Sequence, residues 1–120
     1  MPTILIVDDS PSMRKLITDI LEQAGHVVVQ ATDGEDALAV VDQNDVDLVI
    51  TDVHMPNMDG ITLVGKLREL QNTRLTPILI LTTELDDARK KEAKANGATG
   101  WINKPIDPDR MLTTIARVLE

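Results

Sequence analysis

The chain opens with the stretch Ile4-Leu5-Ile6-Val7-Asp8-Asp9-Ser10-Pro11, in which an aliphatic run stops at two carboxylates and a helix start follows at once. An unbroken aliphatic run is typical of a parallel strand that is buried on both faces. Ser10-Pro11 is the pattern of an N-cap residue followed by proline at the first helical position. The stretch therefore predicts a strand–helix unit with acidic side chains at the carboxyl end of the strand.

The same strand-then-helix pattern recurs through the 120 residues. Strands are predicted at 3–8, 27–31, 47–52, 77–82 and 101–103, and each is followed by apolar residues at helical spacing. Asp33, Asp59 and Asp107 are predicted N-caps, and Gly25 and Gly97 are predicted helix ends. This alternation, without a repeat or a linker, predicts one α/β domain in which helices cover both faces of a parallel sheet through right-handed crossovers.

Composition excludes several classes of function. The chain has no cysteine, a net charge of −8, and Trp101 as its only residue among Phe, Tyr and Trp. Without cysteine there is no disulfide framework, thiol nucleophile or zinc–thiolate site. An acidic surface repels phosphate backbones, which disfavours direct nucleic-acid binding. No apolar run approaches the ~20 residues of a membrane span, and no secretory leader precedes the first strand. We therefore expect a soluble cytoplasmic protein without membrane insertion.

Three carboxylates are expected at one edge of the sheet, because Asp8 and Asp9 follow the first strand and Asp52 ends the third. Ligands of open parallel sheets bind at this carboxyl edge. Thr82 and Lys104 stand at the ends of the fourth and fifth strands. Two like charges ~4 Å apart repel by about 4 kcal/mol at an effective dielectric of ~20. The carboxylates therefore need a shared proton, cationic partner groups or a bound divalent ion.

Oxygen-only ligands favour Mg²⁺, Mn²⁺ or Ca²⁺, and Mg²⁺ characteristically combines one or two carboxylates with water and phosphate oxygens. Asp52 is the candidate nucleophile, since a carboxylate can attack phosphorus and become an acyl phosphate. Lys104 can approach a phosphate oxygen as a point charge, and Thr82 can donate its hydroxyl to another. These residue types at strand ends predict Mg²⁺-dependent phosphoryl chemistry, with Mn²⁺ as an alternative ion.

Five stretches, in order along the chain, make it resemble the receiver domains of two-component response regulators, and specifically the stand-alone chemotaxis (CheY-type) regulators. They are Val7-Asp8-Asp9, Thr51-Asp52-Val53-His54-Met55-Pro56-Asn57-Met58-Asp59-Gly60, Leu81-Thr82-Thr83-Glu84, Gly97-Ala98-Thr99-Gly100-Trp101 and Lys104-Pro105. The resemblance implies a flavodoxin-like three-layer fold with a five-stranded parallel sheet of order 2-1-3-4-5, the order documented for such regulators. It also implies a single receiver domain over residues 1–120 with no output domain.

The resemblance assigns roles at the acidic edge. Asp52 is implied as the phosphoacceptor, and Lys104 as the contact to the phosphoryl group. Asp8 and Asp9 are implied as Mg²⁺ ligands, together with Asp52 and the backbone carbonyl of His54.

The resemblance also implies a switch. Thr82 is the implied switch hydroxyl and Trp101 the switch aromatic, where relatives usually carry the smaller Tyr or Phe, or His. The bond between Lys104 and Pro105 is implied to be cis. His54 and Glu84 are candidates for setting the lifetime of the acyl phosphate; the alternative is that both simply face solvent.

The output face is expected on the fourth helix, fifth strand and fifth helix. The fourth helix, predicted at 85–96, has few apolar residues and should therefore bury little area and be loosely held. The residues of this face that we expect to meet a partner are Arg89, Lys90, Lys91, Lys94 and Trp101. Their positive charge suits an acidic or amphipathic segment; the alternative is that the cations only solvate a surface helix.

The resemblance implies a monomeric signalling phosphoacceptor that promotes its own phosphorylation and slow autodephosphorylation and is not an enzyme with a separate substrate. A sensor histidine kinase, of the chemotaxis type, is the implied donor, and a flagellar motor switch protein is the implied target. An adaptor or phosphorelay intermediate in a non-chemotaxis pathway is the alternative.

A small haloacid-dehalogenase-like phosphatase is disfavoured, because those enzymes usually carry Asp-x-Asp where this chain has His54. A flavodoxin-type protein is disfavoured because Asp8 and Asp9 would repel the FMN phosphate. The complete set of site residues argues against a receiver-like scaffold that is never phosphorylated.

Overall fold

The structure, a computed structural model, describes residues 1–83 and 87–120. Glu84 and the first two residues of the predicted fourth helix lie outside the described residues. Within the described residues, strands and helices alternate along the whole chain. They are β1 (Thr3–Val7), α1 (Pro11–Gln23), β2 (Val27–Ala31), α2 (Gly34–Gln43), β3 (Leu48–Asp52), α3 (Gly60–Glu69), β4 (Ile78–Thr82), α4 (Asp87–Asn96), β5 (Gly100–Asn103) and α5 (Pro108–Val118).

The five strands form one parallel sheet in the order β2-β1-β3-β4-β5, which confirms the predicted α/β fold and strand order. The central strands β1, β3 and β4 are almost entirely buried, whereas the edge strands β2 and β5 have exposed positions. Strand bounds differ from the prediction by one residue in four places. The fourth strand, for example, begins after Pro77, which has no N–H to donate to a ladder. The first strand ends at Val7, before Asp8, whose carboxylate accepts the N–H of Ser10 as the chain turns.

Two apolar layers hold the helices against the sheet, because alternate residues of each strand face opposite sides. Leu5 and Val7 pack in the layer that contains buried residues of α2, α3 and α4. Ile4 and Ile6 pack in the layer that contains buried residues of α1 and α5. The fold is therefore the expected three-layer arrangement.

Local capping starts the helices as predicted. The capping side chains are those of Ser10, Asp33, Asp59 and Asp107, and each accepts a backbone N–H from the first turn of its helix. Such caps satisfy N–H groups that have no partner within the helix. Because α1 and α3 follow β1 and β3, their N-terminal ends lie at the carboxyl edge of the sheet.

The helix α4 is attached differently from the others. Among the described residues of this helix Ala93 alone is buried, in agreement with the prediction of little buried area. Its C-terminal end is tied by polar contacts: Asn96 Nδ2 donates to the Ile61 carbonyl at 2.9 Å, and Arg68 Nε donates to the Gly97 carbonyl at 3.0 Å. Burial of the Arg68 guanidinium lowers its pKa. Among the described residues, no helix is long and apolar enough to cross a membrane.

Candidate functional site: an acidic cluster at the carboxyl edge of the sheet

The structure brings the three predicted carboxylates together. Asp8, Asp9 and Asp52 each offer one oxygen, and these three oxygens lie within 4.8 Å of one another. The pairing of Val7 with Thr51 across β1 and β3 explains this, because it sets the next residues, Asp8 and Asp52, at the same level of the sheet edge. Asp8 is 1% exposed and Asp52 is 8% exposed, whereas Asp9 is exposed to solvent. The cluster is therefore a pocket with two buried carboxylates and one at its rim.

Asp8 carries the least satisfied charge of the cluster. Its Oδ1 accepts the Ser10 N–H at 2.8 Å, but its buried Oδ2 has no hydrogen-bond partner within the described residues. Burial is the main cause that raises the pKa of Asp8, and the charges of Asp52 and Asp9 raise it further against the opposing effects of Ser10 and Lys104. The site thus contains a buried oxygen that lacks a cationic or donor partner.

Asp52 is held in place by contacts to one of its two carboxylate oxygens. Its Oδ1 accepts the N–H of Val53 at 2.8 Å and lies 3.4 Å from Lys104 Nζ. On the backbone side, Thr51 Oγ1 donates to the Asp52 carbonyl at 3.0 Å. A Cβ at Gly60 would overlap that same carbonyl oxygen, so only glycine lets α3 begin this close to the end of β3. These contacts orient the carboxylate and leave its Oδ2 for chemistry.

Thr82 ends strand β4 and Lys104 follows strand β5, and both therefore lie on the side of Asp52 away from Asp8 and Asp9. Thr82 is 4% exposed at the end of β4, next to β3 in the sheet. Its carbonyl accepts the Lys104 N–H at 2.7 Å, and the peptide bond between Lys104 and Pro105 is cis. Lys104 thereby reaches Asp52 from the end of β5 across β4.

His54 and Trp101 lie outside the cluster of three carboxylates. His54 is exposed in the loop after β3, and Glu84 lies outside the described residues. Trp101 is half-buried on β5, opposite Ile80 of β4, and Lys90 Nζ lies 5.6 Å from the centroid of its ring.

Two of the four cations of α4 are engaged within the chain. Arg89 lies 3.0 Å from Glu92 and 3.9 Å from Asp59, and Lys90 contacts the ring of Trp101. Lys91 and Lys94 are exposed. The partner face of Arg89, Lys90, Lys91, Lys94 and Trp101 stays a prediction, in which Lys91 and Lys94 are the cations with exposed side chains.

The donor set fits a hard divalent cation. All three side chains present carboxylate oxygens at mutual distances that one ion can span, and the Oδ2 of Asp8, which has no hydrogen-bond partner among the described residues, supplies a free ligand oxygen. Mg²⁺ and Mn²⁺ match oxygen-only ligands, whereas zinc and copper prefer imidazole or thiolate. The residues present therefore suit Mg²⁺.

Sequence reasoning missed two supports of this site. Arg14 Nη1 donates to the Asp8 carbonyl at 2.6 Å, and nothing local in the sequence indicates that contact. The close approach at Gly60 had a recognisable signal, because glycine directly after the capping Asp59 is where a helix start must pass close to backbone.

The comparisons with known proteins agree with this fold and site. The family profile described as the response regulator receiver domain matches residues 4–116. Protein PilH of Pseudomonas aeruginosa is 37% identical over 119 residues, which cover 99% of this chain and 98% of PilH. The structure of the chemotaxis protein CheY4 of Vibrio cholerae has a TM-score of 0.96 and 44% identity, and covers 99% of both chains. The sensor histidine kinase RcsC of Escherichia coli is 36% identical over 117 residues, but this chain spans only 12% of RcsC.

The fold and the acidic pocket define a signalling module of two-component systems. Receiver domains are phosphoacceptors that bind Mg²⁺ at their acidic pocket and interact with histidine kinases. The chain belongs to the response regulator receiver domain family.

Proposed function

We propose that this chain accepts a phosphoryl group on Asp52 from a sensor histidine kinase, in a Mg²⁺-dependent reaction, and then binds a separate target. The observation that carries the proposal is the cluster of Asp8, Asp9 and Asp52, in which Asp8 and Asp52 are buried, with Lys104 Nζ 3.4 Å from Asp52. Paired carboxylates beside one ammonium at the carboxyl edge of a parallel sheet suit phosphoryl transfer, where positioning and charge neutralisation do most of the work.

Asp52 is the nucleophile in this proposal. Its Oδ1 is occupied by the Val53 N–H and by Lys104, so Oδ2 attacks phosphorus. The new bond joins Oδ2 to phosphorus, and the bond between phosphorus and the imidazole nitrogen of the kinase breaks, with the electron pair leaving on that nitrogen. Hydrolysis later returns the carboxylate and releases phosphate, which gives a slow autodephosphorylation. His54 and Glu84 are candidates for setting its rate.

Asp8 and Asp9, with Asp52 and the backbone carbonyl of His54, would hold the cation. A bound Mg²⁺ neutralises the clustered carboxylates and the incoming phosphoryl oxygens. Lys104 pairs with one phosphoryl oxygen, and Thr82 donates its hydroxyl to another. These residues lie at the edge where the sheet ends, so each can meet a phosphoryl group on Asp52.

The signal is proposed to leave through the face formed by α4, β5 and α5. A phosphoryl group adds roughly −1.5 to −2 charge and strong acceptor oxygens beside Thr82. Moving a two-state element from 1:99 to 99:1 requires about 5.5 kcal/mol, a scale that two or three charge-assisted hydrogen bonds reach. Among the described residues of α4 Ala93 is the one that is buried, and this weak apolar attachment makes the helix the element that such energies can move. Trp101 is the proposed switch aromatic, and Lys91 and Lys94 are the cations offered to an acidic or amphipathic target.

The pathway is proposed from likeness to CheY4, which is described as a chemotaxis protein. On that basis the chain is a cytoplasmic, monomeric, single-domain regulator with a chemotaxis kinase as donor and a flagellar motor switch protein as target. An adaptor or phosphorelay role outside chemotaxis is the second candidate, because related sequences occur within longer signalling proteins such as RcsC.

The deciding experiment is the intact mass of the protein after incubation with acetyl phosphate. We expect the mass to rise by one phosphoryl group with Mg²⁺ and to stay unchanged with EDTA. The adduct should be released by hydroxylamine, which cleaves acyl phosphates. Continued turnover of small phosphate esters would instead support a phosphatase, and a mass that never changes would refute the phosphoacceptor role.

Replacing Lys104 with methionine should slow phosphorylation of Asp52. One charge-assisted hydrogen bond to the transferred group is worth ~1.5–3 kcal/mol, so we expect a rate of adduct formation roughly 10- to 100-fold lower. The measurement is the time course of adduct formation by mass spectrometry, with Lys91→Met on the exposed face of α4 as a control for loss of charge. A wild-type rate for Lys104→Met would remove Lys104 from the proposed mechanism.

A further inference from the structure

A cation–π contact joins α4 to β5. Lys90 Nζ lies 5.6 Å from the centroid of the Trp101 ring, within the range of ~6 Å over which an ammonium is attracted to an indole face. Among residues 87–96, which the structure describes for α4, Ala93 alone is buried. The Lys90 contact therefore adds to a small apolar attachment of this helix.

Trp101 is also one of the residues that line a cavity. A cavity of about 410 Å³ lies between β5 and α5 and is lined by Trp101 together with Lys104, Arg110 and Thr114. Trp101 is only half-buried. Its side chain packs against the apolar layer that contains residues of α2, α3 and α4, so the orientation of the indole depends on that packing together with the ammonium of Lys90.

We propose that Lys90 is a positioning residue for Trp101, whose ammonium holds the indole against α4 and sets the equilibrium between this orientation and others. The inference rests on the proposed function in taking Trp101 as the switch residue, but the contact itself requires no phosphoryl group. Any rotation of the indole away from α4, and any shift of α4 away from β5, has to break it. Phosphorylation of Asp52 therefore has to overcome the contact between Lys90 and Trp101, and the strength of this contact helps to set how readily the domain switches.

The expected size follows from the exposure of the pair. Cation–π contacts at solvent-accessible sites change an equilibrium by about two- to fivefold. Such a factor is too small to lock the indole but large enough to alter the fraction of molecules in each orientation.

The chain offers matched variants. Lys90→Met removes the ammonium and keeps a chain of similar length, whereas Lys90→Arg keeps a cation that can stack on the indole. Lys91→Met removes the same charge from the next residue of α4, which is exposed. A general effect of net charge would appear in both methionine variants, whereas loss of the ring contact would appear in Lys90→Met alone.

The test is time-resolved fluorescence of Trp101, the only tryptophan of the chain, without Mg²⁺ or phosphodonor. We expect the ratio of the decay amplitudes, which reports the indole orientations, to change about two- to fivefold in Lys90→Met. Lys90→Arg and Lys91→Met should keep the wild-type ratio. An unchanged ratio in Lys90→Met, an equal change in Lys91→Met, or a ratio in Lys90→Arg that matches Lys90→Met would overturn the proposal.

A second arm separates this inference from the proposed function. With acetyl phosphate and Mg²⁺, all four proteins should form the adduct, and the accompanying fluorescence change should be smaller in Lys90→Met because part of its population has already moved. Failure of the proposed function would appear as no adduct in any of the four. Failure of the Lys90 inference would appear as adducts in all four with identical fluorescence changes.

Discussion

Asp52→Asn is expected to abolish the acyl phosphate completely. The asparagine Oδ1 can still accept the N–H of Val53, so the local geometry at the end of β3 is retained. The amide, however, has no carboxylate oxygen that can attack phosphorus. Removal of one negative charge also relieves repulsion with Asp8, so the variant should fold. We expect no gain of a phosphoryl group in intact mass at any time with acetyl phosphate and Mg²⁺, under conditions where the wild type is modified.

The matched control for this experiment is Asp45→Asn. Asp45 is exposed in the loop before β3 and outside the acidic cluster. Asp45→Asn removes the same charge but leaves the acidic cluster intact, so we expect this variant to form the adduct at the wild-type level. If Asp52→Asn still gained the adduct, the phosphoryl group would reside on another side chain and the assignment of the nucleophile would be wrong.

The fold could be predicted because its signals are local. Each strand is an aliphatic run, and each capping residue acts on N–H groups within the next turn, as Ser10 does on Met13 and Asp59 on Thr62. The convergence of Asp8 and Asp52 followed from the same logic, since parallel strands place their carboxyl ends at one edge. Strand bounds erred by one residue because the end of a strand depends on turn contacts such as Ser10 N–H to Asp8, which aliphatic content does not report.

The attachment of α4 could not be predicted because it depends on residues far apart in sequence. Arg68 donates to carbonyls of Thr73, Thr76 and Gly97, which belong to two separate loops. Asn96 reaches the carbonyl of Ile61 from a position 35 residues away. Sequence patterns indicate which faces of an element are apolar. They do not indicate which polar side chain will donate a hydrogen bond to a backbone carbonyl of another element. For the same reason, the sequence did not indicate that the ammonium of Lys90, a residue of the predicted partner face, lies over Trp101.

The buried carboxylate of Asp8 is a proposed metal ligand, but without a cation its burial costs the protein stability. Its pKa is raised in the folded protein, mainly by burial and then by the charges of Asp52 and Asp9. A group whose pKa is higher in the folded than in the unfolded state stabilises the fold while it is protonated, and that contribution is lost as the pH rises through the folded-state pKa. Without a cation, ionisation of Asp8 as the pH rises through its raised pKa therefore lowers the free energy of unfolding.

Asp8→Asn should consequently stabilise the protein in EDTA at neutral pH. The asparagine keeps an acceptor for the Ser10 N–H and removes the buried charge, so we expect the free energy of unfolding to rise by about 1–2 kcal/mol. The gain should shrink as the pH is lowered through the raised pKa of Asp8, because the wild-type carboxyl then becomes neutral as well. Urea denaturation at neutral and acidic pH, followed by far-UV circular dichroism, measures both effects.

Mg²⁺ should reverse the order of stability between Asp8→Asn and the wild type. A ligand that binds only the folded state stabilises it by about 2.7 kcal/mol at a hundred times its dissociation constant, which exceeds the gain expected from the substitution. Asp8→Asn loses a carboxylate ligand, so we expect its affinity for Mg²⁺ to fall about a hundredfold, which leaves a stabilisation of only about 0.4 kcal/mol at the same Mg²⁺ concentration. Asp45→Asn should follow the wild type in both conditions. An Asp8→Asn protein that is less stable than the wild type in EDTA, or that gains as much from Mg²⁺, would contradict the assignment of Asp8 as a buried, unpaired metal ligand.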